Sequence, residues 1–204
     1  MNSIPTARTK VIACATVIEE MQSLMPADMQ RQVLEFGLHL RPGELTKALQ
    51  TAIDQSADAD LILLGYGQCS RAVIGLHSDR ATLVVPRVDD CIAIFLGSRT
   101  AYQQQARHEP GTYYLTKGWI EVGDSPFEEY KRMIARYGEP KAFTMFNLML
   151  KNYTRLAFIN TGAYELEHYR EYARQTAAHF GLRFEEIEGA PSLVQKLLLG
   201  PWDD

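Results

Sequence analysis

Four short apolar runs in the first half of the chain, each followed by residues at helical spacing, constrain its fold more than any other feature. They are Val11–Ala15, Val33–Leu38, Leu61–Leu64 and Leu83–Val85. Leu61-Ile62-Leu63-Leu64 is apolar without alternation, the pattern of a strand covered on both faces. Between the runs, Thr16-Val17-Ile18-Glu19 has the form of a capping box. Pro42 suits a first helical turn, and Leu45, Ala48, Leu49, Ala52 and Ile53 share one helical face. Ala72–Leu76 reads as a short helix, and Asp89 or Asp90 is placed to cap a long helix running to about Arg107. This alternation predicts an α/β fold with a Rossmann-like, mainly parallel sheet and helices on both faces.

Past His108-Glu-Pro-Gly111 the pattern changes. Thr112–Glu121 reads as a fifth strand interrupted at Gly118. Beyond Gly123 the chain is helix-rich: helices over Pro126–Tyr137, Lys141–Asn152, Tyr164–Phe180 and Ser192–Leu199, with strands over Arg155–Asn160 and Arg183–Ile187. The expected organisation is a Rossmann-like lobe of residues 1–122 and a helix-rich α/β lobe of residues 123–204, packed together as one unit.

Composition narrows the partners. With 204 residues, 46% of them hydrophobic, the chain can bury a full core. Its 21 Lys+Arg against 25 Asp+Glu, without a basic stripe interleaved with aromatics, argues against nucleic acid. The apolar stretch Val11–Ile18 stops at Glu19-Glu20 and reads as a strand entering a helix rather than a targeting segment. No apolar run approaches the roughly 20 residues of a membrane span. A cytoplasmic protein with no membrane partner is expected. Three cysteines, an odd number without short spacings, do not suit a secreted disulfide scaffold.

Each cysteine instead follows a strand-like run, in a turn that opens into a helix. Cys14 ends Lys10-Val-Ile-Ala-Cys, Cys69 follows Leu61–Gln68, and Cys91 follows Leu83–Asp90. His39 holds the matching place after the Val33–Leu38 run. The carboxyl ends of parallel strands share one edge, where ligands bind. A metal centre of Cys14, Cys69 and Cys91, with His39 as fourth ligand or neighbour, is therefore expected. An iron–sulfur cluster with one open iron and a zinc that activates a substrate thiol fit these residues equally. Two rival readings remain: cysteines as small buried hydrophobes in a metal-free binding protein, or Cys69 or Cys91 as a nucleophile. Gly65-Tyr-Gly-Gln-Cys69 lacks the Gly-x-Ser-x-Gly spacing of a nucleophile elbow and the glycine pattern of a phosphate cradle. No residue is assigned a catalytic role.

Further residues suit a small anionic or planar ligand. In Pro86-Arg87-Val88-Asp89-Asp90-Cys91, Arg87 offers a fork for an anion, and Asp89 offers proton transfer or support. In Gly111–Trp119, Lys117 offers charge, and Tyr114 and Trp119 offer stacking faces, although aromatics in a strand serve the core as readily. His77 and Asp79 are expected at the opposite edge of the sheet.

Several of these stretches recur together elsewhere. Ala13-Cys-Ala, Gly37-Leu-His39, Leu63-Leu-Gly-Tyr-Gly-Gln-Cys69, Pro86-Arg-Val-Asp-Asp-Cys91, Gly97-Ser-Arg99 and Pro110-Gly-Thr-Tyr-Tyr-Leu-Thr-Lys-Gly-Trp119 resemble the domain-of-unknown-function 1638 family of bacteria and archaea. The resemblance covers most of residues 10–180. It implies no particular reaction. Members of that family tend to occur in anaerobic and methylotrophic organisms near corrinoid-dependent methyl-transfer genes. That implies metal, cluster or corrinoid chemistry, with a corrinoid or methyltransferase protein as a partner.

Overall fold

A computed structural model of the chain describes residues 8–68, 71–122, 125–162 and 165–202. The first apolar run forms β1 (Thr9–Cys14), paired in parallel with β2 (Gln30–Leu34) on one side and β3 (Leu61–Gly65) on the other. β4 (Thr82–Val84) adds to β3, so the spatial order is β2-β1-β3-β4. Burial follows this order. Every β1 residue but Lys10 and every β3 residue but Leu61 is buried, whereas no residue of β2 is. An edge strand pairs on one side only and tolerates polar residues. That is why β2 begins at Gln30-Arg31-Gln32 rather than at Val33. The last residues expected in it, Phe36–Leu38, instead begin a 3₁₀ turn that runs Phe36–Leu40.

β1 runs without a loop into α1 (Ala15–Met21), and α2 (Pro42–Asp54) links β2 to β3. The chain thus leaves β1 to one side and returns to the other. Right-handed crossovers made in opposite directions set α1 and α2 on opposite faces of the sheet. The capping box at Thr16–Glu19 does not form. Cys14 is the extended residue preceding α1, and Thr16 is already inside the helix, buried, its hydroxyl without a hydrogen-bond partner among the described residues. The expected helix over Ala72–Leu76 is a turn, with Arg71 at φ +55° and Gly75 at +84°.

The expected long helix to Arg107 is two helices, α3 (Cys91–Phe95) and α4 (Arg99–His108). Gly97 separates them at φ +78°, and a Cβ there would lie 2.6 Å from both the Ala190 Cβ and the Ser192 Oγ. Only glycine fits that backbone and that contact.

The chain divides into two compact units, Met1–Ala101 with Ala190–Asp204, and Tyr102–Gly189. The expected seam at Gly123 falls on a residue outside the described ones. Its neighbours on both sides belong to the second unit, because β5 (Thr112–Leu115) pairs in parallel with β6 (Arg155–Asn160), and β6 with β7 (Arg183–Glu188). α5 (Lys117–Glu121), α6 (Pro126–Tyr137), α7 (Glu139–Leu150) and α8 (Glu167–His179) connect these strands. α8 is shorter than the expected Tyr164–Phe180, and Tyr164 is outside the described residues. The fifth strand is likewise shorter than expected. Thr116 accepts a hydrogen bond from the Trp119 amide (3.4 Å) and starts α5, so Lys117, Gly118 and Trp119 are helical. The last helix, α9 (Ser192–Leu199), belongs to the first unit. Both sheets are wholly parallel, as a Rossmann-like α/β fold requires.

At the start of β6, Arg155 is 1% exposed, and each of its three guanidinium nitrogens donates a hydrogen bond. Its Nε donates to Thr112 Oγ1 (2.9 Å), Nη1 to Glu185 (3.0 Å) and Nη2 to Gln105 Oε1 (2.7 Å). The hydrogen bonds from Arg155, then from Arg183, hold the Glu185 carboxyl below its ordinary range. A carboxylate with a depressed folded pKa stabilises the fold above its unfolded value, about 4.3, and that contribution is lost as pH falls through the folded value. Glu185→Gln should therefore lower stability at neutral pH and flatten its fall on acidification. Denaturant midpoints between pH 7 and the acid limb test this; parallel curves for the two proteins would contradict it.

Candidate functional site

The carboxyl edge of the four-stranded sheet is built by turns that leave its strands directly. Cys14 is the last residue of β1, opposite Leu34 of β2, and is buried. Cys91 is the first residue of α3 and is partly exposed; both carry thiols. Asp90 caps α3, its carboxylate accepting from the Ile92 amide (2.8 Å). Cys69 lies outside the described residues.

The turn that precedes Cys69 is described, and it lies on the turn that precedes Cys91. The Gln68 amide donates to the Val88 carbonyl (2.9 Å). A Cβ on Gly67 would fall 2.6 Å from the Asp90 carbonyl carbon and Cα. Gly65 meets a similar limit, 2.7 Å from the Ala13 Cβ. Two glycines thus let the end of β3 pack closely against β1 on one side and the approach to α3 on the other.

His39 sits in the 3₁₀ turn after β2, half-buried, its ring 4.5 Å from that of Phe36. Its Nδ1 lies 2.7 Å from the Phe36 carbonyl oxygen. Only a protonated Nδ1 can donate to a carbonyl, so in the neutral ring Nε2 keeps the lone pair. A backbone carbonyl holding one ring nitrogen while the other faces a metal is common support for metal-binding histidines. Among the described residues, no three His, Cys, Asp or Glu side chains form a group that could hold a metal ion.

The residues expected at a ligand divide between the two units. Arg87 and Asp89 belong to the first. Asp89 accepts two hydrogen bonds from Arg99, from Nε (3.1 Å) and Nη2 (3.0 Å), and these raise the Arg99 pKa. Arg87 lines a cavity of about 310 Å³ together with Arg99, Lys196 and Trp202. Tyr114, Lys117 and Trp119 belong to the second unit. The Tyr114 ring lies 6.4 Å from Tyr102, Lys117 Nζ lies 6.0 Å from the centre of the Tyr169 ring, and Trp119 packs on the core around Leu156 and Phe158. His77 and Asp79 precede β4 and so lie toward the opposite edge; Gln50 bonds both the amide and the carbonyl of His77.

Arg99, Lys196 and Trp202 were not among the expected site residues. Arg99 stands ten positions from its carboxylate, and α9 reaches the cavity from about a hundred residues downstream. Neither relation leaves a local spacing to find.

The model of the protein-of-unknown-function family DUF1638 matches residues 33–198. The chain belongs to the DUF1638 family. No curated protein and no solved structure matches it. As a DUF1638 member, the chain carries Gly37-Leu-His39, the Gly65-Tyr-Gly-Gln-Cys69 turn and Pro86–Cys91 inside the matched segment, whereas Cys14 lies before it. Among the described residues, no helix is long and apolar enough to cross a membrane.

Proposed function

We propose that the carboxyl edge of the four-stranded sheet is a thiolate centre. Cys14, Cys69 and Cys91 would hold a zinc ion or an iron–sulfur cluster there, with His39 as the fourth group. One observation carries this reading: the cysteines follow β1, β3 and β4, three strands that are consecutive in the sheet. Neighbouring strands lie about 4.8 Å apart, so their ends fall within reach of one small centre. The contact of Gly67 with Asp90 supports it, because it draws the start of α3 toward the end of β3. The edge also contains the point where connections diverge, between β1 and β3, where ligands of open parallel sheets bind.

The donors fit soft metals. Thiolates suit zinc and iron–sulfur clusters, and a three-thiolate set leaves a position for a substrate. Such a group would supply Lewis-acid or electron-transfer chemistry; the chain supplies the thiolates and the Nε2 lone pair of His39. A centre built of three thiolates would call for a reducing compartment, which favours the cytoplasm. The tendency of family members to occur near corrinoid-dependent methyl-transfer genes would give such a centre a role in methyl transfer, with a corrinoid or methyltransferase protein as partner.

Protein purified without oxygen should contain either about one zinc or a cluster's complement of iron per chain. Brown colour with absorbance near ~400 nm identifies the cluster, and a colourless zinc-loaded protein identifies the zinc site. The burial of Cys14 favours a second reading, a metal-free protein that binds a corrinoid or nucleotide in the same crevice. Absence of stoichiometric metal, with full ligand binding in a Cys14/Cys69/Cys91 triple-alanine variant, would replace the first reading with the second.

A further inference from the structure

We propose that β2 is a docking edge for a second copy of this chain. Two β2 strands pair antiparallel about a two-fold axis at Val33, normal to the sheet, and join two four-stranded sheets into one. β2 pairs with β1 on one side, and among the described residues no strand pairs with it on the other. Such an edge is a template for another strand unless shape or charge blunts it. The other edges offer less. β4 has three residues, with Pro86 two positions beyond its end. No residue of β5 is exposed, and in β7 the side chains of Arg183, Glu185 and Glu186 are already paired within their own unit.

Side chains two apart in a strand share a face. Arg31, Val33 and Glu35 therefore form one row, and all three are exposed, Val33 by 51%. Glu35 follows the strand at φ −58° and ψ 132°, before the chain turns at Phe36. On this face Val11 and Ala13 of β1, in register with Arg31 and Val33, are fully buried. A Cβ on Gly65 of β3, in register with Ala13, would meet Val17 of α1 at 3.0 Å. α1 thus covers β1 and β3 but leaves the row on β2 open. Antiparallel pairing about Val33 sets that apolar side chain against its own copy and Arg31 against the second copy's Glu35. The two-fold axis repeats the ion pair, so four charges form two opposite pairs. Directly opposed side chains have Cβ atoms about 5 Å apart, within reach of one another. The neighbouring registers oppose Val33 to Arg31 or to Glu35 and lose both ion pairs, so the charge pattern selects one register.

Sedimentation equilibrium of the full chain tests this, with Arg31→Glu, Glu35→Arg and the two changes combined. A monomer–dimer equilibrium is expected for the wild type. Each single reversal turns two attractive pairs into two repulsive ones and should weaken the dimer about tenfold or more. The combined variant restores both pairs with their signs exchanged and should recover the wild-type affinity, which a general defect in folding would not do. A chain that stays monomeric at every concentration reached, a dimer indifferent to the single reversals, or a combined variant no tighter than the single ones would overturn the proposal. No cysteine lies between Gln30 and Glu35, so the result is independent of the metal centre.

Discussion

Arg155→Ala should destabilise the Tyr102–Gly189 unit by about 3 kcal/mol, the lower end of what breaking a buried ion pair costs. The guanidinium joins β5, β6 and β7 through Thr112, its own strand and Glu185, and ties α4 to them through Gln105. Alanine removes a buried stem and takes a hydrogen bond from buried Thr112, which keeps the one it donates to the Glu109 carbonyl, and from partly buried Gln105. Glu185 is half-exposed and can turn toward water, which keeps the cost from the top of the range. Arg155→Lys should fall between wild type and alanine, because an ammonium keeps the charge but not the three-way planar fork. Trp119 packs in the same unit, so its fluorescence in a Trp202→Phe background reports this unit's denaturant midpoint. A midpoint unchanged by alanine would mean that the buried guanidinium contributes nothing net to the fold.

Gly67→Ala should have a comparable effect through a different cause. The added methyl meets backbone at 2.6 Å, and backbone cannot swing aside as a flexible side chain would. Forced overpacking of this kind costs about 1–3 kcal/mol. The turn must move away from Asp90, and the hydrogen bond from Gln68 to Val88 should be weakened with it. If the cysteines share a centre, this variant also loses metal although every proposed ligand is intact. Normal stability and normal metal content together would show that the close approach of the two turns matters to neither.

What could be read from the sequence followed from local chemistry. β1 and β3 are dense apolar runs, and they occupy the middle of the sheet. α6 begins with Pro126 directly after its cap, Ser125, and ends at Gly138, so its limits are written locally. β6 and α9 also fall where periodicity sets them. The misreadings share another origin. β2 is polar because it lies at an edge, a property of its neighbours rather than of Gln30–Gln32. Lys117-Gly118-Trp119 resembles strand because it follows aromatic residues, but Thr116 turns the backbone into a helix. Gly97 breaks a helix because Ala190 and Ser192 press against it from more than ninety positions away.

The candidate site divides in the same way. The strand-end positions of Cys14 and Cys91 could be read from the runs that precede them, since a parallel sheet aligns its carboxyl ends. The pairing of Asp89 with Arg99 and the wall formed by α9 could not, because both arise only when distant segments meet. Arg87 is the residue common to the two views. It was expected at a ligand from its place in the turn, and it lines the cavity that α9 completes.

The most direct measurement is the metal content of the wild-type chain and of Cys14→Ala, both purified without oxygen and both confirmed folded. Alanine at this buried strand end removes one sulfur and little else. A stoichiometric centre is expected in the wild type, and its loss in the variant. Equal metal in both proteins, or none in either, would contradict it.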